Sequence, residues 1–106
     1  MQLLQISDLH SLCNDESIAI TKHAKNRLIE RGITVADIQN AIQTGEVIKQ
    51  YEDDKPFASC LLLGLTENNE YIHVVASIDC EYLYIITAYY PDVGEWESDL
   101  KTRKGQ

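Results

Sequence analysis

The segment His23-Ala-Lys-Asn-Arg27-Leu-Ile-Glu-Arg31-Gly32-Ile33 places one imidazole and two guanidiniums at intervals of four residues. On a helix advancing about 100° per residue, His23, Arg27 and Arg31 fall at relative angles of roughly 0°, 40° and 80°. Ala24 and Leu28 lie just beyond, at about 100° and 140°, so the strip borders the side expected to be buried. A proton carrier beside two fixed cations suits a phosphodiester: the imidazole moves protons and the guanidiniums balance charge. A plainer account also fits the spacing, with Arg27 and Glu30 as i,i+3 neighbours and His23 solvated in a first turn.

His73 is the second candidate. In Tyr71-Ile72-His73-Val74-Val75-Ala76 the apolar set Ile72, Val74 and Ala76 marks one strand face, which turns His73 to the other face with Tyr71 and Val75. A histidine in mid-strand more often packs than reacts, but the arginines and the aromatic end of the last strand can meet it at a sheet edge. That strand, Ile85-Ile86-Thr87-Ala88-Tyr89-Tyr90-Pro91, offers phenols that donate protons or stack on bases. Tyrosine also simply suits a pleated surface. An even-length loop near Cys80-Glu81 puts Tyr82, Tyr84 and Tyr90 on the His73 face, whereas an odd loop or a bulge puts Tyr89 there.

Other chemistries find less support. The five glycines are scattered singly, so there is no phosphate-binding glycine loop. Glu52, Asp53 and Asp54 read as a solvated turn before Lys55-Pro56 rather than a cation site. Cys60 sits in an apolar strand and reads as a buried, inert thiol. Cys13, Cys60 and Cys80 are widely spaced without a Cys-x-x-Cys pair, which implies reduced thiols, a cytoplasmic setting and no zinc site. No metal or other cofactor is implied.

The elements that must position these groups fit one domain of 106 residues, 44% hydrophobic and 25% charged. The longest uncharged apolar run, Ala58 to Leu65, is far too short for a membrane span, and the acidic start does not resemble a secretory leader. The net charge of −8 argues against a nonspecific nucleic-acid binder. The charge is uneven, however: residues 22–31 hold four cations against one anion.

Leu3, Leu4, Ile6, Leu9 and Leu12 suggest a short helix within residues 2–13, and Ile18 to Ile20 a short extended piece. Thr21 reads as the N-cap of the His23–Arg31 helix and Gly32 as its stop. Thr34-Val-Ala-Asp37 resembles a capping box opening a helix with the stripe Ile38, Ala41, Ile42, ended by Gly45. The period then changes, and Glu46–Tyr51, Ala58–Thr66, Glu70–Ile78 and Tyr82–Tyr90 read as strands joined by short turns. Short links require antiparallel neighbours. The expectation is an α+β domain: two or three N-terminal helices packed on a four-stranded antiparallel sheet, with Leu28, Ile38, Ile42, Ile72, Val74 and Ala76 buried. Residues 1–17 form a helical extension, 18–101 the core, and 102–106 a frayed tail, with Trp96 as an anchor before it.

Taken in order, His23-x-x-x-Arg27-x-x-x-Arg31-Gly32-Ile33, Tyr51-x-Asp53-Asp54-Lys55-Pro56, Ser59-Cys-Leu-Leu-Leu-Gly64, His73-Val-Val-Ala, Ile86-Thr87-Ala-Tyr89-x-Pro91 and Trp96 resemble a bacterial and archaeal domain-of-unknown-function family similar to the RelE, BrnT and MqsR toxins. The resemblance spans roughly residues 20–103. It implies a RelE-like fold and cleavage of RNA without metal, controlled by an antitoxin partner, in some relatives of zinc-finger type. By motif it assigns catalysis to His23, Arg27, Arg31, His73 and Tyr89. The acidic charge departs from that pattern, because RelE-type nucleases are usually basic.

Two functions from different classes follow. The first is a type II toxin acting as an endoribonuclease, requiring a 2′-hydroxyl and hence inactive on DNA. The second is a non-catalytic module of the same fold, docking an acidic or protein partner through the basic strip. The cysteine reading carries its own test. Thiol titration in denaturant without reductant is expected to find three free thiols, and a lower count would contradict a reduced protein.

Overall fold

The computed structural model describes residues 3–55 and 57–105. Its elements are α1 (Ile6–Ser11), β1 (Ile18–Ile20), α2 (Lys22–Glu30), α3 (Val35–Thr44), β2 (Glu46–Tyr51), β3 (Ser59–Leu65), β4 (Tyr71–Ile78) and β5 (Leu83–Tyr89). Gln2, at the start of the expected first helix, lies outside the described residues, as do Pro56 in the β2–β3 turn motif and Gln106 in the tail.

Local chemistry sets the helix boundaries. The Thr21 side chain accepts a hydrogen bond from the Ala24 N–H and opens α2. At the other end Gly32 takes φ +70°, the Gly32 N–H bonds the Ile29 carbonyl, and the Ile33 N–H bonds the Leu28 carbonyl. This is a Schellman stop, and it drives Ile33 into the core. Thr34 and Asp37 bond reciprocally to open α3 as a capping box, Asp serving where Glu is usual.

Beyond α3 the chain forms the expected meander, β2 to β5 each antiparallel to the next. The sheet departs from expectation at one edge. It has five strands, not four, in the order β1-β5-β4-β3-β2, and it is mixed because β1 runs parallel to β5. Short links dictate antiparallel pairing only for consecutive strands. Between β1 and β5 lie two helices and three strands, a connection long enough for a parallel pair.

One sheet face carries the helices. Cys60, Leu62, Ile72, Val74, Ala76, Leu83 and Ile85 meet Leu28, Ile38 and Ile42 there in a single buried cluster. The other face is covered by the chain after β5, which folds back so that Trp96 pairs with Arg103 across a short bridge. Leu61 and His73 are fully buried under it, and Leu63 nearly so.

Gly64 fixes how closely α3 can lie on the sheet, since a Cβ there would sit 2.1 Å from the Ala41 carbonyl oxygen. That partner is helix backbone and cannot swing aside. Gly64→Ala is therefore expected to cost about 2 kcal/mol or more, lowering Tm by ~8 °C or more for a domain of this size. A thermal melt within a degree or two of the parent would contradict this packing.

Candidate functional site

The helix strip forms as its spacing requires. Ala24 and Leu28 are buried, while His23, Arg27 and Arg31 are exposed beside them. Arg31 is the C-cap of α2, so its side chain leaves the helix end rather than its flank. Its Nη1 donates to the Ala88 carbonyl oxygen at 2.9 Å and to Thr87 Oγ1 at 3.1 Å. This contact is available because β1 pairs with β5 only from Leu83 to Ile85. Past that point the edge of β5 is bare, and a guanidinium from the helix layer reaches the strand's outward hydroxyl.

A register shift decides which phenol accompanies His73. Near the turn, Ser77 pairs with Tyr84 and Ala76 with Ile85; beyond it, Val75 pairs with Thr87 and His73 with Tyr89. Ile86 is the extra residue of a β-bulge. Tyr84 therefore shares the outer face with Ser77, and past the bulge the odd-numbered Thr87 and Tyr89 take over. The two alternatives left open by the sequence are both realised, one on each side of Ile86, and Tyr90 is turned away from His73.

His73 is 0% exposed. Its Nε2 lies 2.7 Å from the Leu100 carbonyl oxygen, and its Nδ1 lies 3.3 Å from the Tyr89 hydroxyl. A carbonyl can only accept, so Nε2 carries the proton and the neutral ring offers Nδ1 as an acceptor for the phenol O–H. Trp96 stands edge-on to the imidazole at 4.4 Å, and Tyr89 does so at 5.3 Å. Burial lowers the His73 pKa from its ordinary value of 6.5, an effect only partly opposed by the bond to Leu100. Burial also raises the Tyr89 phenol; Tyr51 and Glu95 push the same way, and Arg103 and Arg31 oppose them.

The expected site residues thus separate into three positions. Arg31 meets the end of β5 next to Tyr89, and Tyr89 meets His73. Arg27 and His23 face solvent one and two turns back along α2. His73 has no exposed surface, and both its ring nitrogens are engaged, one by the Leu100 carbonyl and one by the Tyr89 hydroxyl. Two groups at this site have weak sequence signals. Thr87 looks like any strand threonine, and the Leu100 carbonyl depends on a left-handed backbone, φ +60°, which a leucine does not announce. Among the described residues, no three His, Cys, Asp or Glu side chains gather as a metal site. No described helix is long and apolar enough to cross a membrane.

A family model described as a domain of unknown function, DUF4258, matches residues 20–90. The chain belongs to this family. The matched region carries the helix strip, His73 and Tyr89 but stops before Trp96 and Leu100, the groups that close over His73. No curated protein and no solved structure matches the chain.

The His73 geometry has a measurable sign. The unfolded chain protonates this ring at its ordinary value, 6.5, whereas the folded chain resists until lower pH. Its contribution to stability is therefore complete above that value and is lost as pH falls through it toward the folded pKa. NMR titration is expected to find the Nε2–H tautomer and a midpoint below 6.5 for His73. Melts between about pH 7.5 and 5.5 should lose stability in the parent, and His73→Gln should flatten part of that slope. A midpoint at or above the ordinary value would contradict the assignment.

Proposed function

We propose that this DUF4258 chain is a toxin-like, metal-independent endoribonuclease with a RelE-like fold, acting in the cytoplasm under control of an antitoxin protein. The observation that carries the reading is the sequence of contacts at the end of β5. A guanidinium, Arg31, is held on Thr87 and Ala88, and the next residue is a phenol backed by a neutral, buried imidazole.

In this reading Tyr89 touches the RNA and His73 stands behind it. The Tyr89 oxygen takes the proton of a 2′-hydroxyl while its own proton passes to His73 Nδ1. The 2′-oxygen bonds to phosphorus and the bond from phosphorus to the 5′-oxygen breaks, leaving a 2′,3′-cyclic phosphate. Arg31, with Arg27 behind it on the strip, balances charge on the phosphorane oxygens. The leaving 5′-oxygen takes a proton from His23 or from water, and His73 passes its proton back through Tyr89 to solvent, from which the donor is restored. Burial keeps His73 neutral and ready to accept a proton, and it also disfavours the imidazolium, so the relay belongs near the lower end of the ~10²–10⁴-fold expected of one positioned acid or base.

The net charge of −8 and the closed cover over His73 favour a second reading, a non-catalytic module that uses the His23–Arg27–Arg31 strip to dock an acidic or phosphorylated partner. RNA cleavage separates the two. The purified chain is expected to cut RNA but not DNA or 2′-O-methyl RNA, with a chelator present and leaving cyclic phosphate ends. Tyr89→Phe and Arg31→Gln should each reduce the rate by about 10²-fold without loss of fold. Cleavage indifferent to both substitutions, or absent from well-folded protein, would reject the nuclease in favour of the docking module.

A further inference from the structure

A second feature of the outer sheet face lies away from Tyr89, at the opposite end of β5. A groove of about 680 Å³ runs between the start of α2, the loop after β2 and the first half of β5, with Thr21, Asp54, Phe57, Tyr84 and Ile86 among its walls. It is mainly apolar. Phe57 is 45% exposed, Tyr82 42% and Ile86 46%, three of the nine exposed large apolar side chains among the described residues. Phe57 stacks on Tyr84 with ring centroids 6.3 Å apart and planes 16° from parallel, and Tyr82 lies 6.2 Å from the same ring.

Two observations mark this as more than a patch of aromatic surface. The groove lies where the sheet edge is incomplete. Ile86 is the bulge residue, the β1–β5 pairing has ended one position earlier, and its side chain projects without a neighbouring strand to cover it. The rim is also strongly one-signed. Tyr84 donates its hydroxyl to Asp79 Oδ2 at 2.6 Å, Asp54 lines the wall, and the exposed Glu81 stands in the turn that Asp79 holds through the Glu81 and Tyr82 N–H groups. The wall contributes one cation, Lys55. Aromatic rings alone would suit stacked bases, but phosphates would have to approach Asp54, Asp79 and Glu81, with Lys55 and, next to Thr21, Lys22 as the nearby cations. A second copy of this chain carries a net charge of −8 and could offer cations in number only from its α2 strip, whose free face is mainly polar. A cationic polypeptide with apolar side chains meets neither obstacle: the apolar groups cover Phe57, Tyr82 and Ile86, and the cations meet the rim.

We propose that this groove docks a partner protein through a short segment in which arginine or lysine side chains alternate with apolar ones. The surface is separate from the Tyr89 site, and the proposal stands whether or not the chain cleaves RNA.

The test uses the full chain and a fluorescent peptide alternating Arg and Leu, read by anisotropy, with a Glu–Leu peptide and oligouridylate as competing probes. The Arg–Leu peptide is expected to bind and the Glu–Leu peptide not to bind. Raising salt from ~0.05 to ~0.5 M should weaken binding several-fold. Phe57→Ser with Ile86→Ser should weaken it by about tenfold or more while the circular dichroism spectrum is kept. Glu81→Lys, an exposed change that removes no packing, should weaken the Arg–Leu peptide and admit the Glu–Leu one. Equal binding to the double variant, equal binding of both peptides, or displacement by oligouridylate would overturn the proposal. So would sedimentation showing a dimer of the parent that the double variant abolishes, since the groove would then be a self-contact.

Discussion

One unpaired residue governs the outer face of this sheet. Ile86 enters β5 without a partner in β4, and every side chain after it changes sides. Without the bulge, Ala88 would lie opposite His73 and Tyr89 would join the helix-side core, so the buried imidazole would have no phenol across from it. The same position marks where β1 ceases to cover β5, so the bulge and the bare edge coincide. Bulges commonly sit at sheet edges and beside functional groups because they re-aim side chains. Here the bulge turns Thr87 and Tyr89 outward at the point where Arg31 can reach round the edge.

Electrostatics divide the molecule into regions of opposite character. The net charge is −8, yet α2 and its flanks gather Lys22, Lys25, Arg27 and Arg31 on one helix. The carboxylates of Asp54, Asp79 and Glu81 collect around the aromatic groove instead. A field of this kind orients an approaching molecule before contact, and two partners of opposite charge would be drawn to different places. The C-terminal cover adds a separate electrostatic element: Arg103 pairs with Glu95 at 3.0 Å and lies over the Trp96 ring, and Lys101 pairs with Glu46 of β2. Exposed pairs of this sort are worth little individually. The closure over His73 therefore depends chiefly on the burial of Trp96 and on the bond to Leu100.

Much of the fold was legible because its signals are local. Thr21, Gly32, the Thr34–Asp37 box and the change from helical to alternating period each act within a few residues, and each marks the element that forms. The six core residues named from periodicity are all buried. Ile18–Ile20 was legible as an extended piece but not as a fifth strand of the sheet, because three residues have no local feature that reveals a distant partner. The candidate site was legible in its components more than in its arrangement. The sequence indicated that His73 faces away from the helices, but not that Trp96 and Leu100 would seal it. That closure depends on a leucine in a left-handed conformation, a cost that only surrounding tertiary contacts can sustain.

The parallel pairing of Ile18 with Leu83 also bears on the order in which the molecule can assemble during synthesis. Strands β2 to β5 are linked by short turns and can pair as they emerge, whereas β1, made first, must wait for the last strand before it has a partner. Until then α2, which follows β1 directly, lacks the β5 edge that receives Arg31. A nascent chain therefore carries the basic strip long before the strand end that completes it. Any activity that needs both arises only once β5 has left the ribosome.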